Sequence, residues 1–302
     1  MASFEFSRVL VTGASGLIGS ALVPSLIERG CRVTRLVRGP VSGEGQISWN
    51  PASRLAPESL SGFDAVLHLA GESVVGRWSA AKKARVRDSR VLVTRHLAQS
   101  LAEAKDRPRV LIAASAVGYY GDRGDQMLDE DSEPGSGFLA EVCREWEAAN
   151  QPAANVGIRT VPIRIGMVLS SQGGALQKML PPFRMGAGGK IGSGRQWISW
   201  VHIWDLVAAV HHILKTDLLQ GPVNMVVPKA VTNAEFTQTL GSVLSRPAIL
   251  PLPALAAKFA FGQIAEEVLL ASQRVEPTKL IASGYPFQYP ELRKALESVV
   301  KA

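Results

Sequence analysis

The segment VTGASGLIGSAL, residues 11–22, constrains the fold of this chain more than any other feature. It places Gly13, Gly16 and Gly19 between the apolar run RVLVT and the periodic run LIGSALVPSLIERG. A strand, a glycine-rich turn and a helix in this order can bind a dinucleotide, because the glycines permit a tight turn, close approach of a pyrophosphate and close packing of helix on strand. The alternative is an ordinary tight turn, but the complete context favours a dinucleotide.

Strands and helices alternate through the first half of the chain. Runs rich in β-branched residues predict further strands at CRVTRLVR, DAVLHLAG (64–71), RVLIAASAVGYYG (109–121, including a loop) and RTVPIRIGMVL (159–169). Periodic runs predict helices over 86–104 and 138–150. This alternation predicts an α/β fold with a Rossmann-type, doubly wound parallel sheet.

The character of the sequence changes after residue 170, where a glycine-rich stretch, a tryptophan-rich stretch and a mainly helical end follow one another. We therefore predict a Rossmann domain over residues 1–166 and a smaller, mostly helical substrate lobe over residues 167–302. The segment PVNMVV (222–227) is expected to return a strand to the first sheet, so that the two parts interleave.

Composition narrows the class of partner. The net charge of +7 is spread along the chain apart from residues 79–90, which are typical of a solvated helix face, so we expect no nucleic-acid partner. No apolar run reaches the roughly 18 residues needed to cross a bilayer, and we expect no membrane partner. Cys31 and Cys143 lie far apart and fit no metal-ligand spacing, which indicates buried thiols in a reducing cytoplasm and no metal site.

The end of the second strand distinguishes NAD from NADP. A carboxylate there would accept the ribose hydroxyls and repel a 2′-phosphate, whereas an arginine would pair with that phosphate. Arg35 and Arg38 are present, and no Asp or Glu occurs between Arg29 and Gly43. This pattern favours NADP(H), unless both arginines merely cap an exposed strand end.

The spacing GxxGxxG, together with HLAG (68–71) and AASAVGYYG (113–121), resembles the extended, epimerase-like branch of the short-chain dehydrogenase/reductase superfamily. The resemblance implies a nicotinamide dinucleotide on a Rossmann sheet, with the family's acidic position falling on Val37. The implied cofactor-binding residues of the two turns are Gly13, Ala14, Ser15, Gly16, Leu17, Ile18 and Gly19, then Leu69, Ala70 and Gly71. HLAG alone is equally typical of a simple strand end.

Further stretches, including GESVVGRWS (71–79), CREWEAA (143–149) and LLASQRVEPTKLIASGYPF, are similar to one atypical, epimerase-like group of this superfamily, SDR family 39U. That group is regarded as lacking the usual catalytic tyrosine and lysine. In this chain those two positions fall on Phe138 and Val142, and neither side chain exchanges a proton.

The resemblance assigns the hydrogen-bonding catalytic serine to Ser115, with a register uncertain by one residue. Tyr119 remains as a candidate proton donor, because Tyr120 matches a structural tyrosine of the family. Tyrosines at such positions are more often packing or hydrogen-bonding residues than catalysts. Arg164, at the end of its strand, is predicted to reach the cofactor, with a buried ion pair as the equal alternative.

The family's architecture places the substrate against the segment from 184 to 205. Arg184 and Arg195 are candidates to meet an anion, and Trp197, with Gln196 and Trp200, to line an apolar wall. The alternative is a glycine-rich surface connection that tryptophans anchor in the core. Further along, Asp205 is predicted to cap the helix LVAAVHHIL.

Two functions from different classes remain open at this point. The first is an NADP(H)-binding, epimerase-like oxidoreductase of an unknown small molecule that works without the Tyr–Lys pair. The second is a non-catalytic, NADP-sensing regulatory protein. The sequence leaves the oligomeric state open, with a homodimer as one option.

Overall fold

The computed structural model describes residues 6–300, and parallel strands form its centre. In chain order the strands are β1 (Arg8–Thr12), β2 (Arg32–Val37), β3 (Gln46–Ser48), β4 (Ala65–His68), β5 (Val110–Ala116), β6 (Met127–Leu128), β7 (Arg159–Ile165), β8 (Met167–Leu169), β9 (Trp197–Ile198), β10 (Trp200–His202), β11 (Val223–Met225), β12 (Val231–Thr232) and β13 (Arg274–Val275).

Helices connect these strands. They are α1 (Leu17–Glu28), α2 (Ala80–Glu103), α3 (Phe138–Ala148), α4 (Gln151–Ala154), α5 (Gly174–Arg184), α6 (Ile203–Lys215), α7 (Asn233–Val243), α8 (Ala254–Phe261), α9 (Thr278–Ala282) and α10 (Leu292–Val300). Short 3-10 turns occur at Pro57–Leu60 and Val117–Tyr120, and a π-helical turn at Ala265–Leu269.

The main sheet has seven parallel strands in the order β11-β7-β5-β4-β1-β2-β3. From β1 the chain first builds outwards through β2 and β3, then crosses over and builds the other half from β4. Ligands of such sheets bind outside the carboxyl ends of the strands at the point where the order reverses. Here that point lies between β1 and β4, directly at the glycine turn. The predicted doubly wound α/β fold is confirmed.

Both faces of the main sheet are covered, which explains why its central strands β1, β4 and β5 are mostly apolar and buried. Along β1, Val9 and Val11 pack in one buried cluster and Leu10 in another. The first cluster includes residues of α1 and α6, and the second includes residues of α2. The glycine turn is thus held on a rigid, two-sided core.

Two predicted boundaries are wrong. Helix α2 begins at Ala80 and not at 86, because Ser79 caps it by accepting a hydrogen bond from the Lys82 amide. The strand predicted over 159–169 is broken at Gly166, where an added Cβ would lie 2.6 Å from the Ser199 oxygen. After this close approach the chain leaves the main sheet, and β8 pairs with β10.

Helices α5, α7 and α10 contribute to a third buried cluster. Asp205 does not cap α6 as predicted, since the His202 side chain accepts from the Trp204 amide at the N-cap. The Asp205 carboxylate is fully buried and accepts from the amides of Gln288 and Tyr289, each at 2.8 Å. It therefore holds the C-terminal segment against α6.

Candidate cofactor and active site

The three glycines of the glycine turn differ in whether the protein's own packing leaves room for a side chain. Gly13 has φ +68°, and a Cβ built on it would lie 2.7 Å from the carbonyl carbon of Leu69. A Cβ on Gly19 would lie 2.3 Å from the Gly13 oxygen. Gly16 differs, because its added Cβ meets one atom of the described chain within 4 Å, the Gly13 oxygen at 3.3 Å. The protein's own packing thus requires Gly13 and Gly19, whereas the space in front of Gly16 is open to a ligand.

Helix α1 begins directly after this turn without a side-chain cap. Gly16 is its N-cap, and its first turn, LIGS, contains no acidic residue. The first amides of a helix have no acceptor within the helix and lie at the positive end of its dipole. The turn therefore offers amides to an anion such as a pyrophosphate. It is built from the residues predicted to bind the cofactor, Gly13, Ala14, Ser15, Gly16, Leu17, Ile18 and Gly19.

A buried polar chain holds the turn after β4 against the glycine turn. Thr12 Oγ1 accepts hydrogen bonds from the amides of Leu69 (3.1 Å) and Ala70 (3.2 Å) and lies 2.7 Å from His68 Nδ1. Since the two amides occupy its lone pairs, Thr12 donates its proton to Nδ1, and His68 Nε2 donates to Thr94 Oγ1 at 2.9 Å. Burial lowers the pKa of His68 to about 4. The ring therefore stays neutral, with Nδ1 accepting from Thr12 and Nε2 donating to Thr94.

The two predicted 2′-phosphate residues differ in position. Arg38 is exposed and directly follows β2, so it stands at the carboxyl edge of the sheet. Arg35 is half-buried within β2, opposite Val11 of β1. Arg38 is therefore the better placed of the two to meet a ligand at the glycine turn.

Ser115 is 3% exposed and donates a hydrogen bond of 2.6 Å to Glu147 Oε1. Its neighbour in register on β7 is Arg164, whose Nε and Nη2 each contact a Glu147 oxygen at 2.9 Å. Successive side chains of a strand point to opposite faces, so Ala116 takes the other face of β5. The hydroxyl of Ser115 is thus hydrogen-bonded to the Glu147–Arg164 ion pair. Ala116, the next residue of the strand, has no hydroxyl that could replace it.

Of the two roles open to Arg164, the structure shows the buried ion pair. Arg164 is 3% exposed, and its Nη1 additionally contacts Tyr120 Oη at 2.9 Å and the Glu130 carbonyl at 3.1 Å. Its guanidinium therefore bonds into the protein through all three nitrogens. Sequence reasoning did not identify Glu147 as the partner, because nothing in the local pattern links α3 to β7.

Tyr119 packs beneath the same guanidinium, with 3.6 Å between Arg164 Cζ and the ring centroid. Burial raises the pKa of the Tyr119 phenol, and the positive charge of Arg164 offsets this only in part. Tyr120 is fully buried, contacts Asn224 Oδ1 at 2.7 Å, and has its pKa raised by burial to about 12. In this structure the pKa of neither phenol is shifted towards neutral pH.

Apolar side chains occupy the two positions assigned to tyrosine and lysine. The Phe138 ring lies 5.2 Å from the Trp78 ring, and Val142 is 2% exposed. The amides of Phe138 and Leu139 donate to the carboxylate of Glu267 at 3.2 and 2.8 Å, so Glu267 caps the start of α3. This part of the helix offers no side chain that exchanges a proton at either position.

Within residues 6–300, the three predicted substrate residues have hydrogen-bond and ring partners other than one another, and none of these contacts joins two of the three. Arg184 is exposed at the end of α5, and Arg195 is exposed in a turn where its amide donates to Ser193 Oγ. Trp197 is half-buried, and its Nε1 donates to Asp125 Oδ1 at 2.8 Å. The guanidinium of Arg274 lies 4.4 Å from the Trp197 ring, a neighbour that sequence reasoning missed.

The other two residues considered for an apolar wall, Gln196 and Trp200, are buried. Trp200 is 1% exposed within the third core cluster. Gln196 is 7% exposed and donates from Nε2 to the carbonyls of Ile191 and Leu269, each at 3.0 Å. Both side chains are buried in this structure, and the expectation that they line a wall of the substrate site stays a prediction.

Within residues 6–300, no group of three or more His, Cys, Asp and Glu side chains is placed to hold a metal ion. In the same residues, no helix combines the length and the apolar character needed to cross a membrane.

Comparison with known proteins gives a family and close relatives. The profile of the NAD dependent epimerase/dehydratase family matches residues 9–226, and a domain of unknown function (DUF1731) matches residues 252–299. An epimerase family protein of Mycobacterium tuberculosis is 43% identical over 290 residues, covering 95% of this chain and 96% of the relative. Human epimerase family protein SDR39U1 is 39% identical, covering 97% and 99% of the two chains.

Solved structures give the same result. Human SDR39U1, crystallised with NADPH, superposes with a TM-score of 0.90 at 38% identity and covers 97% of this chain and 99% of its own. A nucleoside-diphosphate sugar epimerase from Corynebacterium glutamicum has a TM-score of 0.81 at 37% identity, and this chain covers 58% of it. MoeE5, solved with UDP-glucuronic acid and NAD, is 21% identical with a TM-score of 0.77 and shares the fold.

Proposed function

Because the chain belongs to the NAD dependent epimerase/dehydratase family, we propose that it binds NADP(H) at the glycine turn and acts as an epimerase-like oxidoreductase on a small molecule. The observation that carries the proposal is the open space in front of Gly16, at the N-terminus of α1, with Arg38 at the end of the neighbouring strand. The NADPH-bound human relative, 38% identical, supports the same cofactor.

The choice of NADP(H) over NAD(H) depends on the end of β2. The stretch from 30 to 42 contains three arginines, Arg32, Arg35 and Arg38, and no carboxylate. An arginine pairs with a 2′-phosphate through two parallel hydrogen bonds, and no acid there repels it. Arg38, exposed at this edge, is the residue that we assign to the phosphate.

When bound, the nicotinamide supplies a hydride donor or acceptor. This chain has to contribute the binding, the orientation and a route for the proton. Phe138 and Val142 exclude the family's usual route at those positions. The remaining candidate side chain is Tyr119, and a water molecule or the substrate itself are the other sources.

The second candidate function is an NADP-sensing regulatory protein without catalysis. The observation that favours it is that Ser115, Phe138 and Val142 all lack an available proton-exchanging group, since the Ser115 hydroxyl is bound to Glu147. The buried free thiols Cys31 and Cys143 suit a reducing, cytoplasmic compartment under either function.

Hydride transfer separates the two functions. Protein loaded with NADPH is mixed with a broad panel of aldehydes and ketones, and oxidation is followed by loss of reduced-nicotinamide absorbance. The oxidoreductase proposal expects turnover with one chemical class, and a reduced rate in Tyr119→Phe if that phenol moves the proton. If NADPH stays reduced throughout while capture of a protein partner depends on NADPH, the regulatory function is correct.

A further inference from the structure

Glu72 follows the turn Leu69–Gly71 and is held in a defined position by α2. Its amide donates to Ser89 Oγ at 3.0 Å, and its carbonyl accepts from Arg90 Nη1 at 2.9 Å. Its carboxylate accepts from Lys82 Nζ at 2.7 Å. One third of the Glu72 side chain is exposed, so this ion pair lies at the surface beside the predicted cofactor turn.

Positive charge exceeds negative charge around this carboxylate. Lys82, by its hydrogen bond and its charge, and then the charges of Arg85 and Arg38, hold the pKa of Glu72 below its ordinary value. Arg38 follows β2 and Glu72 follows β4, and these two strands flank β1 in the sheet. The glycine turn at the end of β1 thus lies between Arg38 on one side and the Glu72–Lys82 pair on the other.

Lys82 is unusual for a lysine at the start of a helix. The first turn of α2 reads AAKK, with no acidic residue, so its cations oppose the positive end of the helix dipole. The Lys82 side chain is nevertheless 13% exposed and held in one orientation by Glu72. Lys83, beside it, instead places its ammonium 5.1 Å from the Phe138 ring centroid. The Lys82 ammonium is thus fixed beside the predicted cofactor turn although the helix dipole disfavours a cation there. Such a cation is suited to bind an anionic ligand.

We propose that Lys82 is a second cation, beside Arg38, for the adenosine 2′-phosphate of NADP(H), and that Glu72 tunes the preference for NADP(H) over NAD(H). Glu72 does so in two ways, by holding the Lys82 ammonium and by placing one negative charge near the phosphate. The ammonium has three protons to donate and can bind Glu72 and a phosphate oxygen together. This inference rests on the proposed binding of NADP(H).

Lys82→Met tests the first part, because methionine keeps much of the apolar stem and removes the charge. In calorimetric titrations we expect the dissociation constant for NADPH to rise about tenfold, as for loss of one charge-assisted contact, and that for NADH to change less than about twofold. Lys83→Met is the matched control from the same helical turn and should leave both constants unchanged. Lys82→Arg, which keeps the charge, should retain a preference for NADPH.

Glu72→Gln tests the second part with a change of opposite sign. The amide oxygen still accepts from Lys82, but the negative charge near the phosphate is gone. The preference for NADPH over NADH should therefore increase by about threefold or more, because only NADPH carries the 2′-phosphate. The slope of log affinity against log salt for NADPH should become smaller in Lys82→Met.

The outcomes separate this inference from the function on which it rests. If the wild type has no preference for NADPH, the proposed cofactor is wrong. If the wild type prefers NADPH and Lys82→Met has the same preference within about twofold, the assignment of Lys82 is wrong while the cofactor stands. An NADPH preference in Glu72→Gln that is lower than in the wild type, or unchanged within about twofold, would overturn the proposed effect of the negative charge of Glu72.

Discussion

Glu147 determines what two of the predicted site residues do. Its carboxylate, 12% exposed, accepts from Ser115 and from two nitrogens of Arg164. This arrangement turns the hydroxyl of Ser115 and the guanidinium of Arg164 inwards, so both residues join α3 to the sheet. It also gives Tyr119 a packing role under the arginine.

Removal of this one carboxylate should be costly. In Glu147→Ala the buried Arg164 charge loses its partner, and we expect the free energy of unfolding to fall by about 3–5 kcal/mol. Glu145→Ala is the matched control, because Glu145 lies two residues earlier and pairs with the exposed Arg87. That variant should lose no more than about 1 kcal/mol. Equal losses in urea unfolding would contradict the central role of Glu147.

At the scale of elements, the unit β1–turn–α1 combines a structural and a binding role. Local chemistry predicts it well, because glycine spacing, strand and helix are all visible within 22 residues. The contacts that hold it in place are less visible. Thr12, His68 and Thr94 come from three different elements, and their hydrogen bonds span 56 and 26 residues. No sequence pattern reports that they meet.

Two alanine substitutions in this unit should separate binding from stability. Gly16 has φ −76°, which alanine adopts readily, and its added Cβ lies 3.3 Å from one oxygen. Gly16→Ala should therefore change the free energy of unfolding by no more than about 1 kcal/mol, yet weaken NADPH binding at least about tenfold by filling the open space.

Gly19→Ala should behave differently, because its Cβ would lie 2.3 Å from the Gly13 oxygen and 2.7 Å from the Ala14 Cα. We expect a loss of about 3 kcal/mol of stability together with loss of NADPH binding. Urea unfolding and calorimetry on both variants check this pair. Wild-type NADPH affinity in Gly16→Ala would contradict a pyrophosphate at this turn.

At the scale of the whole molecule, the alternation of strands and helices was enough to predict the doubly wound sheet. It did not predict β3, a strand of three residues at the sheet edge, since so short a run has no period. The sequence pattern predicted β7 and β8 as one strand, because the break between them at Gly166 results from packing against Ser199, which no local pattern shows. The partners Glu147, Glu267 and Arg274 were likewise invisible, because tertiary structure brings them to the site.

Three buried histidines link the stability of the whole molecule to pH. Burial lowers the pKa values of His68, His202 and His211 to about 4, from an ordinary value near 6.5. Between pH 6.5 and pH 4 these histidines are therefore protonated in the unfolded chain but neutral in the folded chain. The free energy of unfolding consequently falls as the pH drops below about 6.5. From pH 7 to pH 5 each histidine should cost about 2 kcal/mol.

Urea unfolding at pH 7, 6 and 5 measures this loss above the range in which most carboxylates titrate. His68→Gln should have a smaller dependence on pH than the wild type, by about one histidine's share. Stability that stays constant from pH 7 to pH 5 would contradict the neutral, buried state of these rings.

We propose that the glycine turn and Arg38 hold NADPH, although the positions for catalysis carry Phe138 and Val142. Calorimetric titration of the wild type and of Arg38→Ala with NADPH and NADH tests it most directly. We predict that the wild type binds NADPH at least about tenfold more tightly than NADH, and that Arg38→Ala loses most of this preference through weaker NADPH binding, with NADH binding unchanged. Equal affinities in the wild type, or tighter binding of NADH, would contradict it.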